Sequence, residues 1–163
     1  ITADHYFRRA NKGTQRTLII FNNFAIAFRC IEFFGGIACH DKQNLRKLMK
    51  ERLKAFANKK SESQYIIESL LEDEAFNKAE IVLAFAPLKS EPDITPILSD
   101  ERIALPYIED GIMHFSSDKN LDKSQLGFLE PRNKVPLSYE KAVILVPMLA
   151  FDNRLYRLGR GGG

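Results

Sequence analysis

The chain has 163 residues, which is enough for one domain with a buried core, and its hydrophobic content of 45% and charged content of 28% are typical of soluble globular proteins. Its net charge of +3 is too small to indicate nucleic-acid binding by itself. No stretch of about 20 apolar residues is present, so the sequence excludes a membrane-spanning helix and predicts a cytoplasmic protein.

Residues 1 to 40 are the hardest part of the chain to assign. The β-branched and aromatic residues from Thr17 to Phe28 predict a buried strand, and Gly35-Gly36 predicts a turn after it. Cys30 and Cys39 form neither a CxxC pair nor a zinc-ligand set, so we expect two buried free thiols and a reducing compartment. The origin of this segment is left open, and residues 41–163 are expected to form the α/β domain of a single-domain protein.

Two amphipathic helices are predicted next. Apolar residues recur every three or four positions from Asn44 to Ala57, and a second pattern of this kind runs from Ser61 to Leu71. The stretch from Lys42 to Lys60 is dense in Lys and Arg and contains a single Glu. This charge suits an anionic ligand, but a solvated basic helix face explains it equally well.

Short apolar runs predict the strands of a sheet, and prolines follow several of them. Pro106 is expected to end the strand predicted at Arg102–Leu105. Strands are predicted at Ile81–Phe85, Arg102–Leu105, Ile112–Phe115 and Ala142–Val146, a short helix at Ile94–Leu98, and loop and turn over residues 116–140. Helices that alternate with buried strands predict an α/β fold, with helices on the faces of the sheet.

Four segments carry more specific patterns. The first two are Lys42-Gln43-Asn44-Leu45-Arg46 and Pro87-Leu88-Lys89-Ser90-Glu91-Pro92-Asp93. The third comprises Ile103–Pro106, Met113–Phe115 and Gly127–Pro131, and the fourth runs from Val146–Asp152 into Arg157-Leu158-Gly159-Arg160-Gly161-Gly162-Gly163. In this order they resemble the 5-formyltetrahydrofolate cyclo-ligase family over residues 42–163. The fourth is the most specific, being similar to the family's Val-Pro-Gly-Leu-Ala-Phe-Asp followed by Arg-Leu-Gly-x-Gly-x-Gly.

The resemblance implies a fold and an activity. The family fold is a three-layer, open, mostly parallel sheet of Rossmann-like type with helices on both faces. The implied reaction is the cyclisation of 5-formyltetrahydrofolate to 5,10-methenyltetrahydrofolate, driven by ATP with Mg²⁺ and releasing ADP and phosphate. A cytoplasmic monomer that binds folate and ATP, with no nucleic-acid or membrane partner, is expected.

The resemblance also implies site residues. It implies that ATP is bound by residues of the first helix and of the glycine segment, namely Lys42, Gln43, Asn44, Leu45, Arg46, Arg157, Leu158, Gly159, Arg160, Gly161, Gly162 and Gly163. Substrate binding is carried over to Ala86, Glu91, Arg160, Gly161 and Gly162, and catalytic roles to Arg157 and Arg160. The metal ligands are unknown.

The chemistry of the glycine segment supports this assignment. Glycine has no Cβ and tolerates positive φ, so the backbone N–H groups of such a segment can approach phosphate oxygens closely. Taken alone, Gly159 to Gly163 would suit a flexible tail better than a phosphate site, and the preceding Phe151-Asp152 and Arg157-Leu158 make the pattern specific. The three histidines, His5, His40 and His114, show no metal-ligand spacing, so structural or surface roles are expected for them.

Several features depart from the family pattern. The family's glycines continue into Tyr-Tyr-Asp, whose aspartate helps to hold Mg²⁺, whereas this chain stops at Gly163. Met148 and Leu155 replace family glycines, and Ile94 replaces a common threonine. We therefore expect a truncated chain with an unrelated leader.

A permuted chain is a less favoured explanation of these departures. It is suggested by Tyr6–Arg9, Ala27-Phe28 and His40-Asp41, which resemble the missing family pieces in their order.

Two other functions stay open at this point. One is a relative with impaired catalysis that still binds nucleotide or folate, which the absent Tyr-Tyr-Asp favours. The other is a basic nucleic-acid-binding protein that uses residues 42–60, and it predicts affinity that falls steeply with salt. Aromatic residues between the basic ones are sparse there, with Phe56 alone, which disfavours stacking on bases.

Overall fold

The computed structural model describes residues 10, 11, 16–19, 42–125, 127–139, 142–151 and 157–161. The turn expected at Gly35-Gly36 and both cysteines lie outside these residues. The same is true of Tyr6–Arg9, Ala27-Phe28 and His40-Asp41, so the permuted arrangement stays a prediction. None of the described helices is long and apolar enough to cross a membrane.

In the described part of the chain, three α-helices and one 3₁₀ turn precede or connect the strands. Helix α1 is Lys42–Ala55, α2 is Lys59–Glu72, α3 is Glu74–Asn77, and the 3₁₀ turn is Thr95–Ile97. The first two begin two residues before their predicted starts. Asp73 separates α2 from α3. Its carboxylate accepts hydrogen bonds from the backbone N–H groups of Ala75 at 2.7 Å and Phe76 at 2.9 Å. This is the standard stabilisation of a helix N-terminus by an acidic side chain.

Among the described residues, six strands form the main sheet, in the spatial order β1-β2-β8-β3-β4-β5. They are β1 (Ala10–Asn11), β2 (Arg16–Ile19), β3 (Val82–Leu83), β4 (Ile103–Glu109), β5 (Ile112–Ser116) and β8 (Val143–Val146). The central strands β2, β8, β3 and β4 are parallel, and β1 and β5 pair antiparallel at the two edges. This mostly parallel sheet with packed helices confirms the predicted α/β class.

The core lies on both faces of the sheet because side chains alternate along each strand. One face packs Val82 and Ile103 against Leu70 of α2 and Phe76 of α3. On the other face, Leu83 and Ala104 pack with residues from the 137–139 segment. Phe76, Val82 and Ile103 are each 0% exposed, which makes the first cluster the main hydrophobic core.

Strand β4 is longer than predicted, because Pro106 does not end it. Pro106 pairs with Phe115 of β5, and the Phe115 carbonyl accepts from Leu137 N on the opposite side. Backbone groups of a non-hydrogen-bonded antiparallel pair both point away from the partner strand, so β5 needs no N–H from Pro106. On the other side, Ala84 N donates to Ala104 O at 2.9 Å, and the next donor of that ladder would be residue 106. The proline therefore ends the pairing with β3 but not the strand.

The expectation of loop and turn alone over residues 116–140 was wrong. Strands β6 (Leu121–Lys123) and β7 (Leu129–Pro131) form an antiparallel pair with Asp122 opposite Glu130. Half of their side chains are polar and only Pro131 is buried, so the apolar pattern that identifies buried strands is absent.

A small two-stranded unit connects the sheet to helix α1. Strands β9 (Ala150–Phe151) and β10 (Arg157–Leu158) pair antiparallel directly after β8. Leu149, Ala150 and Leu158 pack with Met49 and Leu53 of α1 in a second hydrophobic cluster. This packing places the glycine segment after β10 beside the amino-terminal half of α1.

Candidate functional site

The candidate site lies where β3 and β8 end. These strands are parallel, with Leu83 opposite Ile144, so their carboxyl ends reach the same edge of the sheet. Open α/β sheets bind ligands at this edge. The loop after β3 carries Glu91, and the chain after β8 leads through β9 and β10 to the glycine segment.

Arg46 of α1 contacts the glycine segment directly. Its Nε donates to the carbonyl oxygen of Gly159 at 3.0 Å, across 113 positions of sequence. The neighbouring Leu45 and Met49 pack in the second hydrophobic cluster, which holds this part of α1 against β10. The basic helix is therefore attached to the glycine segment through Arg46.

Gly161 is required by the local geometry. It has φ +92°, a left-handed conformation that side chains rarely adopt, and a Cβ built there would lie 3.2 Å from Cζ and Nε of Arg46. At Gly159 a Cβ would meet nothing within 4 Å. The close approach of Arg46 therefore depends on the missing Cβ of Gly161 and not on that of Gly159.

Arg160 joins the glycine segment to the loop after β3. Its Nε donates to Glu91 Oε1 at 2.8 Å, and its Nη2 donates to Ser90 Oγ at 2.6 Å. The side chain of Glu91 is only 5% exposed, against 30% for Arg160. A buried carboxylate of this kind needs both a cation and hydrogen bonds.

The other carboxylate oxygen of Glu91 closes its own loop. Oε2 accepts from the backbone N–H of Leu88 at 2.9 Å, while Glu91 N donates to Leu88 O at 2.9 Å. The turn from Leu88 to Glu91 is thus bonded by main chain and side chain together. Arg160 consequently meets a rigid carboxylate and not a flexible loop residue.

The charges of this cluster favour an anion. Two guanidinium groups, those of Arg46 and Arg160, lie at the glycine segment, and Glu91 is the carboxylate that pairs with one of them. Arginine presents planar N–H donors that match phosphate and carboxylate oxygens. An excess of positive charge beside flexible glycine backbone is suited to phosphate groups.

The structure brings together five of the residues predicted from the sequence. They are Arg46, Glu91, Gly159, Arg160 and Gly161.

The other predicted residues differ in position. Lys42, Gln43 and Asn44 are exposed on the first turn of α1, and Arg157 is exposed on β10. Ala86 is half-buried in the loop after β3. Leu158 is buried in the second hydrophobic cluster, and Leu45 packs against that cluster, so only their backbone could meet a ligand. Gly162 and Gly163 lie outside the described residues.

Sequence reasoning missed Ser90. It lies within the Pro87–Asp93 segment and directly precedes Glu91, but the sequence predicts no role for it. The only signal was this adjacency, because a serine in a loop has no distinguishing pattern. Its role depends on Arg160, which is 70 positions away.

A groove of about 650 Å³ lies beside this loop but does not include the cluster. It is lined by the first three turns of α2 together with Asp93 and Pro96. Asp93 N donates to the buried Ser63 Oγ at 2.9 Å, which connects the two walls. The pKa of Asp93 is lowered, chiefly by hydrogen bonds from Thr95. Since neither Arg46, Glu91 nor Arg160 lines it, this groove is not the candidate reaction centre.

No protein cage for a metal ion is seen in the part of the chain that the structure describes. Within it, no three His, Cys, Asp or Glu side chains are grouped so that they could hold a metal. His114 stacks on the buried Tyr107, with ring centroids 5.5 Å apart, in agreement with the structural role expected for it. Asp152 lies outside the described residues.

Comparisons with known proteins give one family and one fold. The model of the 5-formyltetrahydrofolate cyclo-ligase family matches residues 38–163. Among solved structures, the chain is similar to the NMR structure of Aquifex aeolicus 5,10-methenyltetrahydrofolate synthetase, with 27% identity and a TM-score of 0.65. That similarity covers 76% of this chain and 69% of the other. Among proteins with curated descriptions, none matches.

Proposed function

Because the chain belongs to the 5-formyltetrahydrofolate cyclo-ligase family, we propose that it cyclises 5-formyltetrahydrofolate to 5,10-methenyltetrahydrofolate at the expense of ATP, with Mg²⁺. The observation that carries this proposal is the cluster in which Arg160 connects the glycine segment to the buried Glu91, with Arg46 on the other side. A folate site and a nucleotide site must adjoin for phosphate transfer between their ligands. Arg160 spans the two candidate sites.

The proposed nucleotide site is the glycine segment with α1. Gly159 to Gly161 offer backbone N–H groups, and Arg46 and Arg160 offer guanidinium donors at the same place. Arg46 is held by the Gly159 carbonyl, so its position is set before a ligand arrives. Groups that are already oriented lose little entropy when phosphate binds.

The proposed folate site is the loop from Ala86 to Glu91. Glu91 is almost fully buried and points its carboxylate at Arg160 and Leu88 N. Carboxylate oxygens accept more than one hydrogen bond each, so Glu91 can still receive donors from the heterocycle. Its burial makes any such hydrogen bond strong, because water competes poorly.

In the proposed reaction, a phosphoryl group passes from ATP to the formyl oxygen. The second folate nitrogen then attacks the formyl carbon, loses its proton, and the carbon–oxygen bond breaks as inorganic phosphate leaves. Little covalent work falls to the protein, whose tasks are alignment and stabilisation of charge on the transferred group. Arg160 is the residue best situated for the second task, with Arg157 as the other predicted catalytic cation.

We propose that Mg²⁺ enters with the nucleotide. Mg²⁺ commonly uses one or two carboxylates together with substrate phosphates and water, so a protein cage is not required. Of the described residues in the cluster, only Glu91 carries a carboxylate, and Arg160 and Leu88 N already engage it. These residues therefore do not fit a metal by themselves.

The first 40 residues are proposed to share the domain. Strand β2 runs parallel to β8, with Leu18 opposite Leu145, and so extends the main sheet. A location in the cytoplasm and a monomeric state stay predictions of the sequence.

The test is to mix the protein with 5-formyltetrahydrofolate, ATP and Mg²⁺ and to follow methenyltetrahydrofolate by its near-ultraviolet absorbance. We expect a signal that requires ATP. Arg46→Ala should weaken ATP binding and Glu91→Ala should weaken folate binding, each measured by calorimetry, while circular dichroism stays unchanged. Folate or ATP binding without product would favour the impaired relative. Binding of neither ligand would contradict the proposal.

A further inference from the structure

Arg160 contacts Ser90 as well as Glu91, and charge pairing does not explain the contact with Ser90. Glu91 already supplies the negative partner of Arg160 at 2.8 Å. Ser90 adds a second, neutral acceptor at 2.6 Å to the same guanidinium. A hydroxyl contributes no countercharge, so its effect must be geometric.

The geometry of the guanidinium shows what this contact does. A guanidinium is a rigid planar fork with five N–H donors. Nε and Nη2 form its side edge, and both atoms are bonded to the Leu88–Glu91 turn. A single bond to Glu91 would allow the plane to pivot about Nε, whereas two bonds along one edge fix it. The end edge, formed by the two Nη atoms, then has one defined direction.

We propose that Ser90 is a positioning residue that sets the plane of the Arg160 guanidinium, so that its end edge meets the phosphate being transferred. This inference rests on the proposed function. Serine suits the task because it orients Arg160 without neutralising it, whereas a second carboxylate would cancel the positive charge needed by an anion. The turn that carries Ser90 is itself rigid, because Leu88 and Glu91 exchange two hydrogen bonds.

The first experiment observes the Arg160 side chain directly and does not depend on enzymatic activity. Protein labelled with ¹⁵N-arginine is studied by NMR, and the Arg160 Nε–H signal is assigned by its loss in Arg160→Lys. We expect Ser90→Ala to shift this signal and to remove the slow rotation about the Nε–Cζ bond, and Ser90→Thr, which keeps the hydroxyl, to preserve both. Ser99→Ala, an exposed serine beyond the same loop, is the matched control.

The second experiment separates orientation from folding. In the cyclisation assay, Ser90→Ala should lower kcat by about tenfold with a smaller change in the KM for folate, because a hydrogen bond to a charged group acting mainly in the transition state is lost. Ser90→Thr should restore most of the rate, and the melting temperature should change little. An Arg160 signal and a kcat that are both unaffected by Ser90→Ala would overturn the proposal.

The two proposals can fail separately. If the wild-type protein forms no methenyltetrahydrofolate, the proposed function fails, but titration with ATP still tests Ser90. Saturating ATP should then shift the Arg160 signal further in the wild type than in Ser90→Ala, because only an oriented guanidinium presents its end edge to the phosphates. Equal shifts in the two proteins would overturn the positioning role.

Discussion

Two arginines at opposite edges of the sheet show how the same side chain can serve the fold or a ligand. Arg102, just before β4, binds Asp100 through Nε and Nη2, and its Nη1 donates to the carbonyls of Phe76, Asn77 and Ala79 at 2.9 to 3.3 Å. All three of its nitrogens are therefore used within the protein.

Arg160, at the carboxyl edge, bonds through Nε and Nη2 alone among its described contacts. A saturated guanidinium such as that of Arg102 can only stabilise a junction between elements, whereas one held by its side edge also keeps donors for a ligand. This matches the general division in α/β proteins, where the carboxyl edge of the sheet is the place for ligands.

The largest effect is expected from Arg160→Ala. Loss of a preorganised cation at the transferred phosphate should lower kcat/KM by about a hundredfold or more, as measured in the absorbance assay. The melting temperature should fall as well, because the buried Glu91 loses its cation. Arg132→Ala, which removes an exposed ion pair with Asp122, is the control and should change neither quantity. A kcat/KM close to that of the wild type would contradict the role of Arg160 at the transferred phosphate and would remove the contrast with Arg102.

Arg102→Ala should give the opposite result. Its loss removes the guanidinium donors of Asp100 and of the carbonyl groups of Phe76, Asn77 and Ala79, so the free energy of unfolding should fall by about 2–4 kcal/mol in urea titrations. Activity per folded molecule at low temperature should stay unchanged. If activity fell while stability held, the division between the two edges would be wrong.

Alanine substitutions at Gly161 and Gly159 should show whether a glycine is needed for its backbone conformation and the close approach of Arg46. Gly161→Ala forces a side chain into φ +92° and against Arg46, so we expect about 1–2 kcal/mol of destabilisation and weaker ATP binding by calorimetry. Gly159→Ala meets open space and should cost less. Equal losses in the two variants would mean that Arg46 does not need the close approach.

The smallest effect concerns pH. Hydrogen bonds from Arg102 hold the pKa of Asp100 below its ordinary value of 3.8. A lowered carboxyl pKa contributes stability that is complete above the unfolded-state value and is lost as pH falls through the folded-state value. The stability difference between the wild type and Asp100→Asn, from urea unfolding, should therefore be larger at pH 7 than at pH 3. A difference that is constant with pH would show that the contact does not depend on the charge of Asp100.

Prediction from sequence succeeded for helices and strands whose apolar residues form a pattern within a short segment. The apolar spacing that produced α1 and α2 is visible within a dozen residues, and the runs at Ile81–Phe85 and Ala142–Val146 identified β3 and β8. It failed at Pro106, because local rules expect a proline to end a strand. Only the pairing of β4 on its two sides shows which N–H is dispensable.

The candidate site divides in the same way. Arg46, Glu91 and the glycines could be named from short motifs, but Ser90 could not, because its partner is distant in sequence. Arg157 and Arg160 were predicted as equivalents. The structure separates them: Arg157 is exposed on β10, and Arg160 reaches the loop after β3.

The sequence by itself determined the class of fold, the helices and buried strands, and the motifs of the family, since these depend on patterns within short segments. The tertiary structure decided which motif residues meet. Parallel strands bring their carboxyl ends to one edge, and the packing of α1 on β9 and β10 places Arg46 at the glycine segment. Contacts across 69 or 113 positions depend on the packing of the whole domain, and no local pattern encodes them.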